Sequence, residues 1–232
     1  TDADLAEALA TASAAAGLDA VPPFTIEEVE EQNWVQLTQS QFDPIRITDR
    51  LWIVPTWHTA PDANAINLVL DPGMAFGTGS HPTTRLCLEW LTSVVAPGVS
   101  VLDYGCGSGI LGIAAVKLGA GDVTGVDIDE KAVETAANNA AANGVSLHLQ
   151  VSAKPLDGTF QRVVANILTN PLKMLAPLLA ARVAPGGKLA LSGVLEAQAE
   201  DVIAAYAPFI ALKVGASFDG WVRLEGERPE TV

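Results

Sequence analysis

Positive charge is scarce in this 232-residue chain: 13 Lys and Arg stand against 27 Asp and Glu, a net charge of −14. Gripping nucleic acid through its phosphates takes clustered cations, so no direct nucleic-acid grip is expected, whereas a basic partner fits. Cysteine is nearly absent. Cys87 and Cys106 cannot build a disulfide framework and lack CxxC spacing, so neither a zinc site nor a redox pair is signalled, and a reducing, cytoplasmic setting is expected. The three histidines, His58, His81 and His148, lie far apart without an HExxH pattern, so no metal is expected. No apolar run approaches the ~18 residues that a membrane helix needs. No basic start leads into an apolar run, so no secretory signal is expected either. The chain opens on Thr1 rather than Met, as a trimmed or processed form would.

What is present is apolar material, 49% of the chain, enough for the core of one ordinary domain plus a smaller appendage. The acidity is uneven. Residues 1–45 hold nine acids and no Lys or Arg, a charge of −9, while the remainder sums to −5. This first stretch reads as a short, acidic, helical segment ahead of the main domain at 46–232. An Ala-rich helix is expected over 2–16 with Gly17 as its cap. A second, polar helix is expected over 25–41, opened by a Thr25/Glu28 capping box.

Two strand-like runs follow, Arg50–Thr56 and Ala65–Leu70, then a Gly-rich loop over 73–79 and a helix opened by His81-Pro82. From residue 99 strands and helices alternate. Strands are expected at 99–104, 123–126, 147–151, 163–167 and 188–192. Helices are expected at 110–118, 130–143, 172–183 and 196–206. A hairpin, 210–216 with 221–225, closes the chain. Such alternation predicts an α/β fold with a mostly parallel, seven-stranded sheet covered on both faces, its last hairpin adding an antiparallel strand near one edge.

The strongest local pattern is Asp103-Tyr104-Gly105-Cys106-Gly107-Ser108-Gly109-Ile110, an apolar strand running into a glycine turn and then a helix. Glycines let the backbone turn tightly and let a ligand approach without Cβ atoms in the way. In doubly wound sheets this crevice takes nucleotides. A dinucleotide GxGxxG would need glycine at 110, which is Ile110. Asp127 ends the next strand, where a carboxylate can accept hydrogen bonds from both ribose hydroxyls. That supports an adenosine nucleoside without choosing the cofactor.

The DxGxGxG form resembles motif I of the Rossmann-like class I S-adenosylmethionine-dependent methyltransferases. Asn166, in Val164-Ala165-Asn166-Ile167-Leu168-Thr169, falls at the fourth strand end, which in that fold lies beside the transferred methyl. It resembles motif IV of amino-methylating enzymes, but Thr169 stands where base-methylating enzymes carry an aromatic platform, which argues against a flipped base as substrate. Adding Phe76-Gly77-Thr78-Gly79-Ser80-His81-Pro82-Thr83-Thr84 narrows the likeness. In order, these motifs resemble the ribosomal protein L11 methyltransferase family over roughly residues 30–227.

The resemblance implies S-adenosylmethionine as donor, with S-adenosylhomocysteine as product, and methylation of Lys side chains and an α-amino group on a basic ribosomal protein. It places cofactor contacts on Thr84, Gly105, Asp127 and Asn166, with Asp103 and Gly107 in the same motif and Phe76 and Gly77 beside the donor. Asn166 is the expected catalytic residue, orienting the acceptor amine. The family also carries an N-terminal recognition domain, of which residues 1–45 resemble at most a remnant. Against this reading stand a methyltransferase acting on another protein, an RNA or a small molecule, a nicotinamide oxidoreductase, which Ile110 disfavours, and a non-catalytic nucleoside-binding module. His81 reads either as a base whose pKa suits neutral pH or as a helix cap. Cys106 reads as a packing residue.

Overall fold

In a computed structural model of the chain, residues 2–18, 20–23, 42–71 and 81–230 are described. The chain divides into two compact units, Thr1–Ser40 and Gln41–Val232. The described part of the first contains the helix α1 (Asp2–Ala15). Gly17, at φ 74°, ends it. The Gly17 N–H donates to the Ala14 carbonyl (3.1 Å) and the Leu18 N–H to the Ser13 carbonyl (3.0 Å), the Schellman pattern that a left-handed glycine permits. The expected helix over 25–41 lies outside the described residues.

The second unit begins with three short strands, β1 (Ile45–Thr48), β2 (Leu51–Val54) and β3 (Ile66–Val69). They form a separate sheet, β1–β2 antiparallel and β2–β3 parallel. Helix α2 (Pro82–Val94) follows. Then come β4 (Ser100–Tyr104), α3 (Ile110–Lys117), β5 (Asp122–Asp127), α4 (Glu130–Ala142), β6 (His148–Val151) and β7 (Phe160–Asn166). Two short helices, α5 (Thr169–Met174) and α6 (Ala176–Arg182), stand where one was expected. The break falls at Leu175, just before Pro177, whose ring disfavours a continuous helix. The chain ends with β8 (Val183–Leu195), a 3-10 turn at Glu196–Gln198, α7 (Ala199–Tyr206), β9 (Leu212–Phe218) and β10 (Trp221–Glu227).

The large sheet has the order β6-β5-β4-β7-β8-β10-β9. Its consecutive pairs from β6 to β8 are parallel, and β10 runs antiparallel between β8 and β9. The expected antiparallel strand therefore sits one place in from the edge. Successive residues of the central strands face opposite ways and fill two cores. Val101, Val164 and Ala190 pack with α2, α3 and the small sheet, and Leu102, Val163, Ala165 and Leu191 pack with α5, α6 and α7. The edge of β3 is closed by a side chain. Asn143 at the end of α4 accepts from the Val69 N–H (2.8 Å) and donates to the Val69 carbonyl (2.7 Å), reproducing the two bonds of a missing strand.

Candidate active site

Three strand ends meet at one level. The register sets Tyr104 of β4 opposite Val126 of β5 and Ala165 of β7. The next residues, Gly105, Asp127 and Asn166, therefore stand side by side at the carboxyl edge of the sheet. The chain adds β5 and β6 on one side of β4 and β7 and β8 on the other. The carboxyl-edge crevice at such a reversal is where open α/β sheets hold ligands.

The glycine loop is stapled to β5. The Gly105 and Cys106 N–H groups donate to the Val126 carbonyl (2.7 and 3.0 Å), and the Gly107 N–H donates to Asp127 Oδ2 (2.8 Å). Gly105 and Gly107 have φ of 77° and 53°, a region closed to most side chains. Asp127 is half-buried, and its Oδ1 accepts from the Asp129 N–H (3.0 Å). A carboxylate offers about four acceptor positions, so two bonds leave room for a diol.

Asp103 lies behind this loop. It is wholly buried, and its Oδ2 accepts from the Gly112 N–H in the first turn of α3 (2.9 Å). Among the described residues its Oδ1 has no partner. Burial pushes its carboxyl up to about 7, against the opposing Gly112 bond and with a smaller upward push from Asp127. Desolvation disfavours the charged form of an acid in this way.

Asn166 is half-buried and donates from Nδ2 to Thr84 Oγ1 (3.4 Å). Thr84 is wholly buried on α2, so the structure joins these two expected site residues across 82 positions of sequence. Phe76 and Gly77 lie outside the described residues. Before them, Asp71 takes the Thr56 N–H (2.7 Å) and hydroxyl (2.8 Å) on its two oxygens, tying the ends of β2 and β3 together.

His81 is used as a cap. Its Nδ1 accepts from the Thr83 N–H and lies 2.8 Å from the Thr83 hydroxyl, and its ring meets Trp221 edge-on at 4.9 Å. Cys106 is buried, and desolvation raises its thiol pKa, which suits packing and not nucleophilic attack.

Two residues at this crevice escaped the sequence reading. Ile128, directly after Asp127, is 87% exposed, an apolar surface beside the carboxylate suited to the flat face of a base. Its signal is the apolar residue inside Asp127-Ile128-Asp129. The other is Ile167, whose contacts are with residues distant in sequence. Among the described residues no cluster of three or more His, Cys, Asp or Glu could hold a metal, and no helix is long and apolar enough to cross a membrane.

Comparison with known proteins gives the family and the fold. The family model for ribosomal protein L11 methyltransferase (PrmA) matches residues 1–229. A curated ribosomal protein L11 methyltransferase from Dechloromonas aromatica is 61% identical over 228 residues, 98% of this chain and 77% of that protein. The crystal structure of a ribosomal protein L11 methylase from Lactobacillus delbrueckii subsp. bulgaricus superposes with a TM-score of 0.74 at 33% identity, covering 82% of this chain and all of that one. A methyltransferase from Pyrococcus furiosus, 20% identical, shares the fold at a TM-score of 0.59 over 70% of this chain and 89% of its own.

Proposed function

The chain belongs to the ribosomal protein L11 methyltransferase family, and on that footing we propose that it methylates amino groups of ribosomal protein L11 with S-adenosylmethionine as donor. The acceptors are Lys side chains, the N-terminal α-amine, or both. The observation that carries this reading is the alignment of Gly105, Asp127 and Asn166 on three neighbouring strand ends at the sheet's reversal point.

The residues present fit the cofactor. The positive φ of Gly105 and Gly107 keeps Cβ atoms off the approach. Asp127 has acceptor capacity left for two ribose hydroxyls, and Ile128 offers apolar contact to the base. Thr84 supports the site by holding Asn166, and Asp103 by holding α3 under the loop. Phe76 and Gly77 keep their proposed place beside the donor on resemblance alone.

Bound S-adenosylmethionine supplies an electrophilic methyl on a sulfonium. The protein's part is alignment, which can supply much of the rate gain. A free Lys with a pKa near 10.4 is roughly 4–5 kcal/mol away from its neutral form at pH 7, and a desolvated pocket lowers that cost. One Asn166 N–H points to Thr84 Oγ1 (3.4 Å), which turns the amide so that its carbonyl oxygen can accept from the incoming amine and aim its lone pair. Thr169, in the place of an aromatic platform, turns its hydroxyl to Gln198 (2.8 Å), which supports an amine rather than a flipped base as acceptor. The proposed reaction needs no nucleic-acid grip and no membrane, and acting on a ribosomal protein fits a cytoplasmic enzyme.

The acidic stretch at 1–45, with a charge of −9, is proposed to help draw in a basic protein. Neutralising Glu27, Glu28, Glu30 and Glu31 should raise KM for the protein substrate and flatten its salt dependence; an unchanged KM assigns that charge to solvation. The site itself is tested by thermal shift. Stabilisation by S-adenosylhomocysteine and none by NAD is expected, and stabilisation by NAD alone overturns the reading.

A further inference from the structure

We propose that Ile167 is the positioning residue that sets Asn166 against the glycine loop. The inference rests on the reading of Asn166 given above and names the part that aligns it. Ile167 follows Asn166 at the end of β7 and packs partly buried against the core of α5, α6 and α7. Its side chain occupies the space above Gly105. A Cβ built on Gly105 would overlap Ile167 Cγ2, while Ile167 Cβ stands an ordinary 3.8 Å from that point.

On its other side Ile167 is held by its backbone. Its N–H donates to the Ser192 carbonyl (3.2 Å). Gly193, at φ 86°, runs so close that a Cβ there would overlap the Ile167 carbonyl oxygen and stand 2.7 Å from its carbonyl carbon. Ile167 is thus wedged between two glycines, one on the loop after β4 and one on β8. The loop bonds to Val126 and Asp127 of β5 and, through the Ser108 carbonyl, accepts from Asn139 of α4 (2.8 Å). Toward β7, the side that carries Asn166, the Ile167 methyl group stands against Gly105. The Leu191-Ser192-Gly193 and Gly105 positions, far apart in sequence, therefore serve one alignment. An atom displaced by about 1 Å at a reacting centre can cost ~100-fold in rate, so a shift of Asn166 against the loop would register in turnover.

The test is a side-chain series at Ile167 crossed with Gly105→Ala, measuring kcat, KM, S-adenosylhomocysteine affinity by calorimetry, and Tm. Ile167→Val keeps Cγ2 and should retain most of kcat. Ile167→Ala removes it and should lower kcat about tenfold or more, with affinity for S-adenosylhomocysteine within about threefold of the parent. A merely structural role would lower Tm without that split. Gly105→Ala should lose both binding and Tm through the overlap, and adding Ile167→Ala should restore part of both, because only the 3.8 Å contact and the backbone strain then remain. A double variant no better than Gly105→Ala, or an Ile167→Ala enzyme with the parent's kcat, overturns the proposal. A parent chain that fails to bind S-adenosylhomocysteine instead breaks the reading of the site, and the Tm coupling still tests the wedge.

Discussion

Replacing Asp103 by Asn should remove a titration from the folding equilibrium. Asp103 is wholly buried, with one oxygen bonded to the Gly112 N–H and the other without a partner among the described residues. Its carboxyl is raised from 3.8 to about 7, chiefly by desolvation. Each pKa unit corresponds to 1.36 kcal/mol, so the whole difference is about 4 kcal/mol. The folded state binds this proton more tightly than the unfolded chain does. Between the two values the folded state carries more of it, so the contribution to stability falls as pH rises from about 4 to about 7 and then levels off. Asparagine keeps an acceptor oxygen for Gly112 and cannot ionise. Urea unfolding of both proteins, without added cofactor, between about pH 4 and pH 8 isolates the effect. The chain's general acidity tilts both curves alike, and only their difference reports Asp103. The stability of Asp103→Asn relative to the parent should grow with pH, by up to about 4 kcal/mol, and flatten above pH 7. Parallel curves would show that Asp103 is not desolvated as described and refute the reasoning.

Asp127→Ala should raise the Kd for S-adenosylhomocysteine by about 100-fold or more, since hydrogen bonds to a charged group contribute about 1.5–3 kcal/mol each; a change under threefold in calorimetry would take Asp127 out of the site. Asn166→Ala should cut kcat by about 100-fold or more while cofactor affinity shifts only severalfold, and unchanged turnover would end its role. Asn143→Ala leaves the Val69 N–H and carbonyl without their clamp; the loss of two bonds at about 1 kcal/mol each should lower Tm by roughly 4–8 °C, which a melting curve reads directly.

The elements that carry the site were legible because their cues are local. The run Val101-Leu102-Asp103 into three glycines signals strand, turn and helix within ten residues, and Asp127 and Asn166 end apolar strands. His81-Pro82 announced the start of α2, and Gly17 the end of α1. Where tertiary contacts decide, the sequence was silent. Strand β1, Ile45-Arg46-Ile47-Thr48, is four residues long with one buried side chain, too short for a period to declare itself. Strand β8 begins at Val183 rather than at Lys188 because Phe160 of β7 pairs with Val183 across a register shift, and Arg228 pairs with Gly186 and Gly187 in between. The Asn166–Thr84 bond joins distant residues that only resemblance had placed in one site. The wedge of Ile167 between Gly105 and Gly193 has no one-dimensional signature at all, since neither glycine lies near Ile167 in sequence.

The central claim is that an amine of ribosomal protein L11 is the methyl acceptor. Purified enzyme incubated with methyl-labelled S-adenosylmethionine, unmethylated ribosomal protein L11 and ribosomal RNA, followed by mass spectrometry of the labelled polymer, decides it. Label is expected on Lys side chains or the α-amine of the protein, and it should be lost in Asn166→Ala. Label confined to the RNA, or a protein that stays unmethylated while the enzyme binds S-adenosylhomocysteine, would contradict the claim.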